Sequence, residues 1–306
     1  MITCLDIGGS GIKGAVATGP NEIRVLGRVR TPLEDFEAFT GAIREMLALS
    51  PAPAGSTVSI AITGVIDPST GVIKCANIPC IDGRTLAADL AARLGRPVMI
   101  GNDADLFALA EAGAGAGRGH AIVFGVILGT GVGGGLVIDG RVVNGPGGYA
   151  GEWGHAPVVA SRVLERGGEA SGVELPRLAC GCGQFGCVDT FGGARGLERL
   201  HQQLTGRTLD SVELVAGWEA GEPAAGRTID AFMEIVAAPL ALVVNVVGAG
   251  IVPVGGGLAR SRGLIERLDR EVRARILRRT EAPLVVPAAL AVEPGLVGAA
   301  ILGGLK

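Results

Sequence analysis

The chain has 306 residues, 52 of them glycine, with 48% hydrophobic residues and a formal net charge of −3. That length holds a large core and predicts two domains, the hydrophobic share excludes a disordered chain, and the weak negative charge excludes the basic footprint of a nucleic-acid binder. Glycine, at more than twice its usual share of roughly 7%, gathers in loops rather than in a repeat, which excludes a collagen-like rod.

The start reads as a strand over 2–7, a glycine turn, a strand over 12–17, a turn at Gly19-Pro20-Asn21 and a strand over 23–29. Such short β-favouring runs between turn residues form a meander. Phe36, Phe39, Ile43, Met46 and Leu47 recur at helical spacing and predict an amphipathic helix over about 34–49. Strands follow over 58–63 and 72–75, then a helix carrying Leu86, Leu90 and Leu94, a strand over 97–100 and a helix that starts at Asn102-Asp103. A buried strand over 121–128 runs into a second glycine loop, and 136–138 with 142–143 form a hairpin around Asp139-Gly140. Loops dominate about 144–190 and helices 190–248, with a kink expected at Pro239. Strands over 251–254 and 284–286 bracket a helix, and a terminal helix begins at Pro294.

Residues 235–259 carry no charge and are long enough to span a bilayer. Pro239, Asn245 and the glycines at 248, 250 and 255–257 interrupt them, so a buried helix running into a buried strand is expected, with no membrane partner. The opening residues lack a basic, apolar leader pattern, and the chain is read as cytoplasmic. Two halves, each opened by a glycine hairpin, predict two α/β lobes with a cleft between them. The boundaries expected are 1–112 with the terminal helix 293–306, and 113–292 with a metal-binding loop over 155–189.

The string Cys-Gly-Cys-Gly-Gln-Phe-Gly-Cys places Cys180, Cys182 and Cys187 within eight residues. Soft thiolates this close, on glycines that allow a tight turn, suit zinc. Without an export signal a stable disulfide is not expected. Three thiolates leave one tetrahedral corner, and spacing alone leaves it open among His120, His155 and His201. His155 is preferred because it ends a Gly-Glu-Trp-Gly-His run beside Glu152. Cys4, Cys75 and Cys80 read as small buried side chains.

Gly9-Ser10-Gly11-Ile12-Lys13-Gly14 and Gly129-Thr130-Gly131-Val132-Gly133-Gly134 match the spacing of a dinucleotide fingerprint. That fingerprint demands a helix directly after the glycines, whereas more strand follows here, and neither string is a P-loop. A strand–glycine turn–strand hairpin still makes an anion-binding concavity of backbone N–H groups. Two such hairpins suit a triphosphate, with Asp6 at the end of the first strand where a magnesium hydration shell belongs.

Asp6-Ile-Gly-Gly-Ser10, Asn102-Asp103, Leu128-Gly-Thr-Gly-Val-Gly-Gly-Gly135, Glu152-Trp-Gly-His155 and the cysteine string, in this order, resemble the ROK family of sugar kinases and repressors. The resemblance runs from the first strand to the last helix. It implies an actin-like, ribonuclease-H-like ATPase fold, a homodimer, ATP with magnesium as donor, and a structural zinc on His155, Cys180, Cys182 and Cys187. It implies Asp103 as the catalytic base and Asn102, Glu152, His155 and Asp189 as sugar ligands, with Gly64 and Asn77 near an N-acetyl pocket. Donor contacts implied are Asp6, Gly8, Gly9, Ser10, Gly11 and Lys13, then Gly129, Thr130, Gly131, Val132 and Gly133, and Gly255, Gly256 and Gly257 on the adenosine side. The activity implied is phosphorylation of the 6-hydroxyl of N-acetylglucosamine, with glucose, fructose and N-acetylmannosamine as alternative acceptors. A repressor is disfavoured because no helix-turn-helix stands ahead of Ile2. One departure concerns the sugar side: the family usually has Glu where Asp189 stands, and the shorter side chain moves the carboxylate by roughly 1.5 Å, enough to interpose a water.

Overall fold

The computed structural model describes residues 1–157, 162–163, 173–290 and 293–305. The chain divides into two compact units: Met1–Ala121 with Gly135–Gly151 and Ala289–Lys306, and Ile122–Gly134 with Glu152–Ala288.

The first unit is built on β1 (Ile2–Gly8), β2 (Gly11–Gly19) and β3 (Glu22–Val29), an antiparallel meander. Helix α1 (Phe36–Ala48) follows; Asp35 caps it by accepting the Glu37 N–H at 2.8 Å. The chain then enters the sheet as β4 (Val58–Ile62), parallel to β1. A small ribbon of β5 (Val65–Ile66) and β6 (Ile73–Lys74) leads to α2 (Leu86–Leu94) and to β7 (Val98–Asn102), parallel to β4. The sheet order is β3-β2-β1-β4-β7. Its core packs Leu5, Ile7, Ile60 and Ile62 against Phe39, Ile43 and Met46 of α1 and Leu86 and Leu90 of α2. The helical spacing read from the sequence is the spacing that buries those side chains. Helix α3 (Asp103–Ala114) starts directly on the end of β7.

β8 (Ile122–Leu128) runs through Gly129–Gly131 into β9 (Val132–Ile138), and β10 (Arg141–Val142) pairs back onto β9. The turn between the last two holds Asp139 at φ 49° and Gly140 at φ 73°, the left-handed pair a two-residue hairpin requires. Further on come the ribbon of β11 (Arg162–Val163) and β12 (Val173–Glu174), then α4 (Asp189–Gly192), α5 (Ala194–Thr205), α6 (Ser211–Glu219) and α7 (Pro223–Val247). β13 (Val252–Gly255) lies parallel to β8, α8 (Arg262–Arg273) follows, and β14 (Val285–Pro287) lies parallel to β13. The order is β10-β9-β8-β13-β14. Both sheets therefore carry the same plan, a meander on one side and parallel strands on the other, as the ribonuclease-H-like expectation requires.

Helix α7 is the one described helix apolar and long enough to cross a membrane. Twelve of its residues are buried within the protein, among them Phe232, Ile235, Val236 and Leu240, and it runs on into the buried strand β13. Pro239 lies within the helix, which continues on both sides of it. Packing on both sides of the proline offsets the roughly 3 kcal/mol that an interior proline costs. The last helix, α9 (Pro294–Leu302), packs on α3 and β1 in the first unit. Gly298 sits where any side chain would strike the Leu106 carbonyl, so the two helix backbones meet at close range.

Candidate functional site

Asp6 lies near the end of β1, half-buried, directly opposite Lys13 on β2. Burial pushes its carboxyl above the usual range; Lys13 opposes this and Glu293 reinforces it. Lys13 Nζ donates to both carboxylate oxygens of Glu293, at 2.8 and 2.7 Å. Gly8, Gly9, Ser10 and Gly11 form the turn between β1 and β2, and Thr31 Oγ1 fixes the turn by donating to the Gly8 carbonyl at 2.6 Å. A side chain at residue 8 would meet only open space, so the turn presents bare backbone there. Gly9 lies against Asn77, which brings one sugar-side candidate to the tip of the hairpin.

Asn102 does two things at the start of α3. Its Oδ1 caps the helix by accepting from the Ala104 and Asp105 N–H groups, at 2.8 and 3.1 Å, and its Nδ2 donates to the Gly64 carbonyl at 2.8 Å. Gly64 has φ 115°, and a Cβ there would crowd the Lys74 carbonyl at 2.8 Å; only glycine fits. Asp103, the first residue of the helix, is exposed, and its carboxylate sits at the positive end of the helix dipole. The structure thus gathers Gly64, Asn102 and Asp103 at one helix N-terminus.

In the second unit three segments converge on the loop after β8. Val132 N–H donates to Asp189 Oδ1 at 2.7 Å, and Asp189 lies against Gly131. Ala194 N–H donates to the Gly129 carbonyl at 2.8 Å, and Gly256, at φ 92°, presses on the end of β8 at Leu128 and Gly129. Gly255 pairs with Ile127 in parallel register, so Gly255, Gly256 and Gly257 stand beside Gly129, Thr130 and Gly131. A cavity of about 450 Å³ opens from Gly257, lined on its apolar side by Ala194, Val212, Val215, Ala216 and Leu258. Backbone N–H groups and an apolar pocket of this size suit a phosphorylated heterocycle.

Glu152 and His155 flank an anchored tryptophan. Trp153, buried, donates from Nε1 to the Gly133 carbonyl at 3.0 Å and packs edge-on to Phe124. Glu152 Oε2 stands 3.7 Å from His155 Nε2. Burial raises the Glu152 carboxyl above its ordinary range, against the pull of His155 and with the push of Asp189.

The ligand atoms of His155, Cys180, Cys182 and Cys187 all lie within 4.8 Å of one another. His155 Nδ1 is 3.5 Å from Cys180 Sγ, and Cys182 Sγ is 3.7 Å from Cys187 Sγ, far beyond a disulfide bond of about 2.05 Å. Those separations suit ligands on one tetrahedral ion with bonds of about 2.0–2.3 Å. Burial pushes the Cys187 thiol up to about 12 and raises Cys180 as well, while the Gln184 N–H lowers Cys182. Three thiols this close give up their protons together only to a cation, so the donor set fits zinc. His155 faces the thiols with one ring nitrogen and Glu152 with the other.

Sequence reading missed Glu293 and Trp153 in these places. Trp153 had a signal, lying inside a quoted motif; Glu293 had none, because it meets Lys13 from 280 residues away.

Repeated sheets, a glycine turn in each, and a Cys₃His cluster define a duplicated α/β protein with two glycine hairpins. The chain belongs to the ROK family, whose model matches residues 2–304. It is 36% identical over 301 residues, 98% of this chain and 95% of the relative, to an N-acetylgalactosamine kinase of Shewanella sp. (strain ANA-3). It is 35% identical over 277 residues, 90% of each chain, to the N-acetyl-D-glucosamine kinase of Pectobacterium atrosepticum. Among solved structures, a ROK family glucokinase from Streptomyces griseus in complex with glucose and AMPPNP matches with a TM-score of 0.75 and 27% identity, over 98% of both chains.

Proposed function

We propose that the protein transfers the γ-phosphoryl group of ATP to the 6-hydroxyl of an N-acetylated amino sugar, with N-acetylglucosamine as the acceptor. The observation that carries this reading is Asp103, exposed on the first turn of α3 beside Asn102 and Gly64, in a chain similar to amino-sugar kinases over nearly its whole length.

A sugar hydroxyl is a poor nucleophile. Asp103 accepts its proton as the new bond to phosphorus forms, and ADP leaves with the bridging oxygen. Gly64, Asn77 and Asn102, with Glu152, His155 and Asp189, are assigned to the sugar's hydroxyl and acetamido groups. The His155 nitrogen that faces Glu152 is the one open to a hydroxyl. Asp189 already accepts from Val132, so its remaining oxygen is the one assigned to sugar.

Gly8, Gly9, Ser10, Gly11 and Lys13 of the first hairpin, and Gly129, Thr130, Gly131, Val132 and Gly133 of the second, are assigned to the donor phosphates. Gly255, Gly256 and Gly257, with the adjoining cavity, are assigned to the adenosine end. Magnesium, when bound with the nucleotide, offsets phosphate charge, and Asp6 is the carboxylate assigned to its hydration shell. A zinc held by His155, Cys180, Cys182 and Cys187 supplies a structural cross-link, since four protein ligands leave no open position. A cytoplasmic homodimer with ATP and a free sugar as its partners completes the reading.

The 36% identity to an N-acetylgalactosamine kinase supports a second acceptor, which differs from the first only at the C4 hydroxyl. A coupled ADP-release assay over N-acetylglucosamine, N-acetylgalactosamine, N-acetylmannosamine, glucose and fructose, with and without magnesium, decides between them. The highest kcat/KM is expected on N-acetylglucosamine; turnover on none of these sugars would overturn the kinase reading.

A further inference from the structure

Asp6, Lys13 and Arg28 stand directly opposite one another on β1, β2 and β3. Partners in register point to the same face of a sheet, so one carboxylate and two cations form a row beside the hairpin tip. The two cations are not equivalent. Lys13 is held by both oxygens of Glu293, a residue fixed in the left-handed region at φ 58° ahead of α9. Glu293 offsets part of its charge where it stands. Arg28 is exposed, and among the described residues no carboxylate pairs with it. Its Nη2 donates to Ser10 Oγ at 3.0 Å, and its guanidinium lies over Gly11, in the space a side chain at that residue would fill. Residue 11 must be glycine for Arg28 to reach the tip.

We infer that Arg28 is a donor-specificity residue: its guanidinium binds the terminal phosphates of a nucleoside triphosphate at the first hairpin, with Ser10 holding it over the turn. The inference rests on the kinase reading above. One of the five guanidinium N–H groups goes to Ser10, which leaves donors for two phosphate oxygens in the planar fork that a lysine cannot offer. The bare backbone at Gly8 leaves room for those oxygens beside the turn.

The test measures equilibrium binding of ATP, ADP and AMP, each with magnesium, to the full chain and to Arg28→Gln, alongside KM for the sugar and Tm. The expected result is a loss of ATP affinity of about tenfold or more, a smaller loss for ADP, none for AMP, and unchanged sugar KM and Tm. Ser10→Ala keeps the guanidinium but removes its anchor, so it should also weaken ATP binding, by less than Arg28→Gln does. The inference is overturned if Arg28→Gln binds ATP as the unaltered chain does, or if ATP and AMP weaken equally, the mark of a distorted hairpin. An unaltered chain that binds ATP but phosphorylates no sugar sinks the kinase reading alone, because the three nucleotides still report on Arg28.

Discussion

Asn102 and Gly64 are joined by an amide-to-carbonyl hydrogen bond of 2.8 Å, and that bond locks the first turn of α3 to the chain leaving β4. The other end of the same amide caps the helix, so a single side chain sets where Asp103 stands. Asn102→Ala and Asp103→Asn should therefore fail differently. Asp103→Asn keeps the geometry and removes the proton acceptor; turnover is expected to fall by about 10²–10⁴ with sugar affinity nearly unchanged. Asn102→Ala removes a cap worth about 1 kcal/mol and lets the turn move, so Tm should fall and sugar KM should rise. Steady-state kinetics with isothermal titration of the sugar separate the two, and near-normal turnover in Asp103→Asn would remove the base from the mechanism.

Glu111 is fully buried near the end of α3, and its carboxylate accepts from three backbone N–H groups: Ala116 at 2.8 Å, Ala289 at 3.1 Å and Leu290 at 2.9 Å. It ties the residues after its own helix to the segment that leads to α9. Glu111→Ala strips acceptors from all three donors, at about 1–3 kcal/mol for any left without water, and less at Ala289, which is exposed. A loss of several kcal/mol in urea unfolding is expected, and Glu111→Gln, which keeps one acceptor oxygen, should lose less. Equal stability of all three proteins would show that water replaces the carboxylate at no cost.

Much of this was legible in the sequence, and the reason is local. Alternating β-favouring runs fix β1 to β3, helical spacing fixes α1 and α2, and Asp139-Gly140 fixes the second hairpin, because each depends on neighbours a few residues away. The cysteine cluster was legible for the same reason, with His155 as the fourth member brought in from outside the string. Contacts made by tertiary packing were not. Nothing near Lys13 announces Glu293, and nothing near Asp189 announces that Val132 N–H takes one of its oxygens. Pro239 shows the limit from the other side: a residue disfavoured in helix interiors stays within α7, which buries residues on both sides of it.

The thiol cluster predicts a coupled loss on metal removal. With the Cys187 proton held to about 12 in the metal-free protein, a cation that displaces the protons adds its binding free energy to folding. Cys187→Ser, or a strong chelator, should reduce bound zinc from about one per chain to near zero. Tm should fall, and sugar KM should rise through His155. Elemental analysis with calorimetry checks this. Lost turnover with Tm and KM intact would instead mark a catalytic metal.

Asp6 carries a cost in stability that its proposed role explains. Burial raises its carboxyl above the ordinary aspartate value, Lys13 only partly offsetting it. The folded chain therefore holds that proton more tightly than the unfolded chain does. The stabilisation this gives is present at acid pH and is lost as pH rises through the folded pKa, so at pH 7 the ionised carboxylate works against folding. Asp6→Asn removes the charge and leaves the Lys13–Glu293 pair in place. Without nucleotide, its Tm at pH 7 should exceed that of the unaltered chain, and the gap should close as pH falls through the raised pKa of the native carboxyl. Turnover should drop by about 10² or more, because the acid assigned to the magnesium shell is gone. Thermal unfolding across pH 4–8 reads the first effect and the coupled assay the second. A variant less stable at pH 7 would mean that Lys13 outweighs burial and that the fold, rather than catalysis, retains the aspartate.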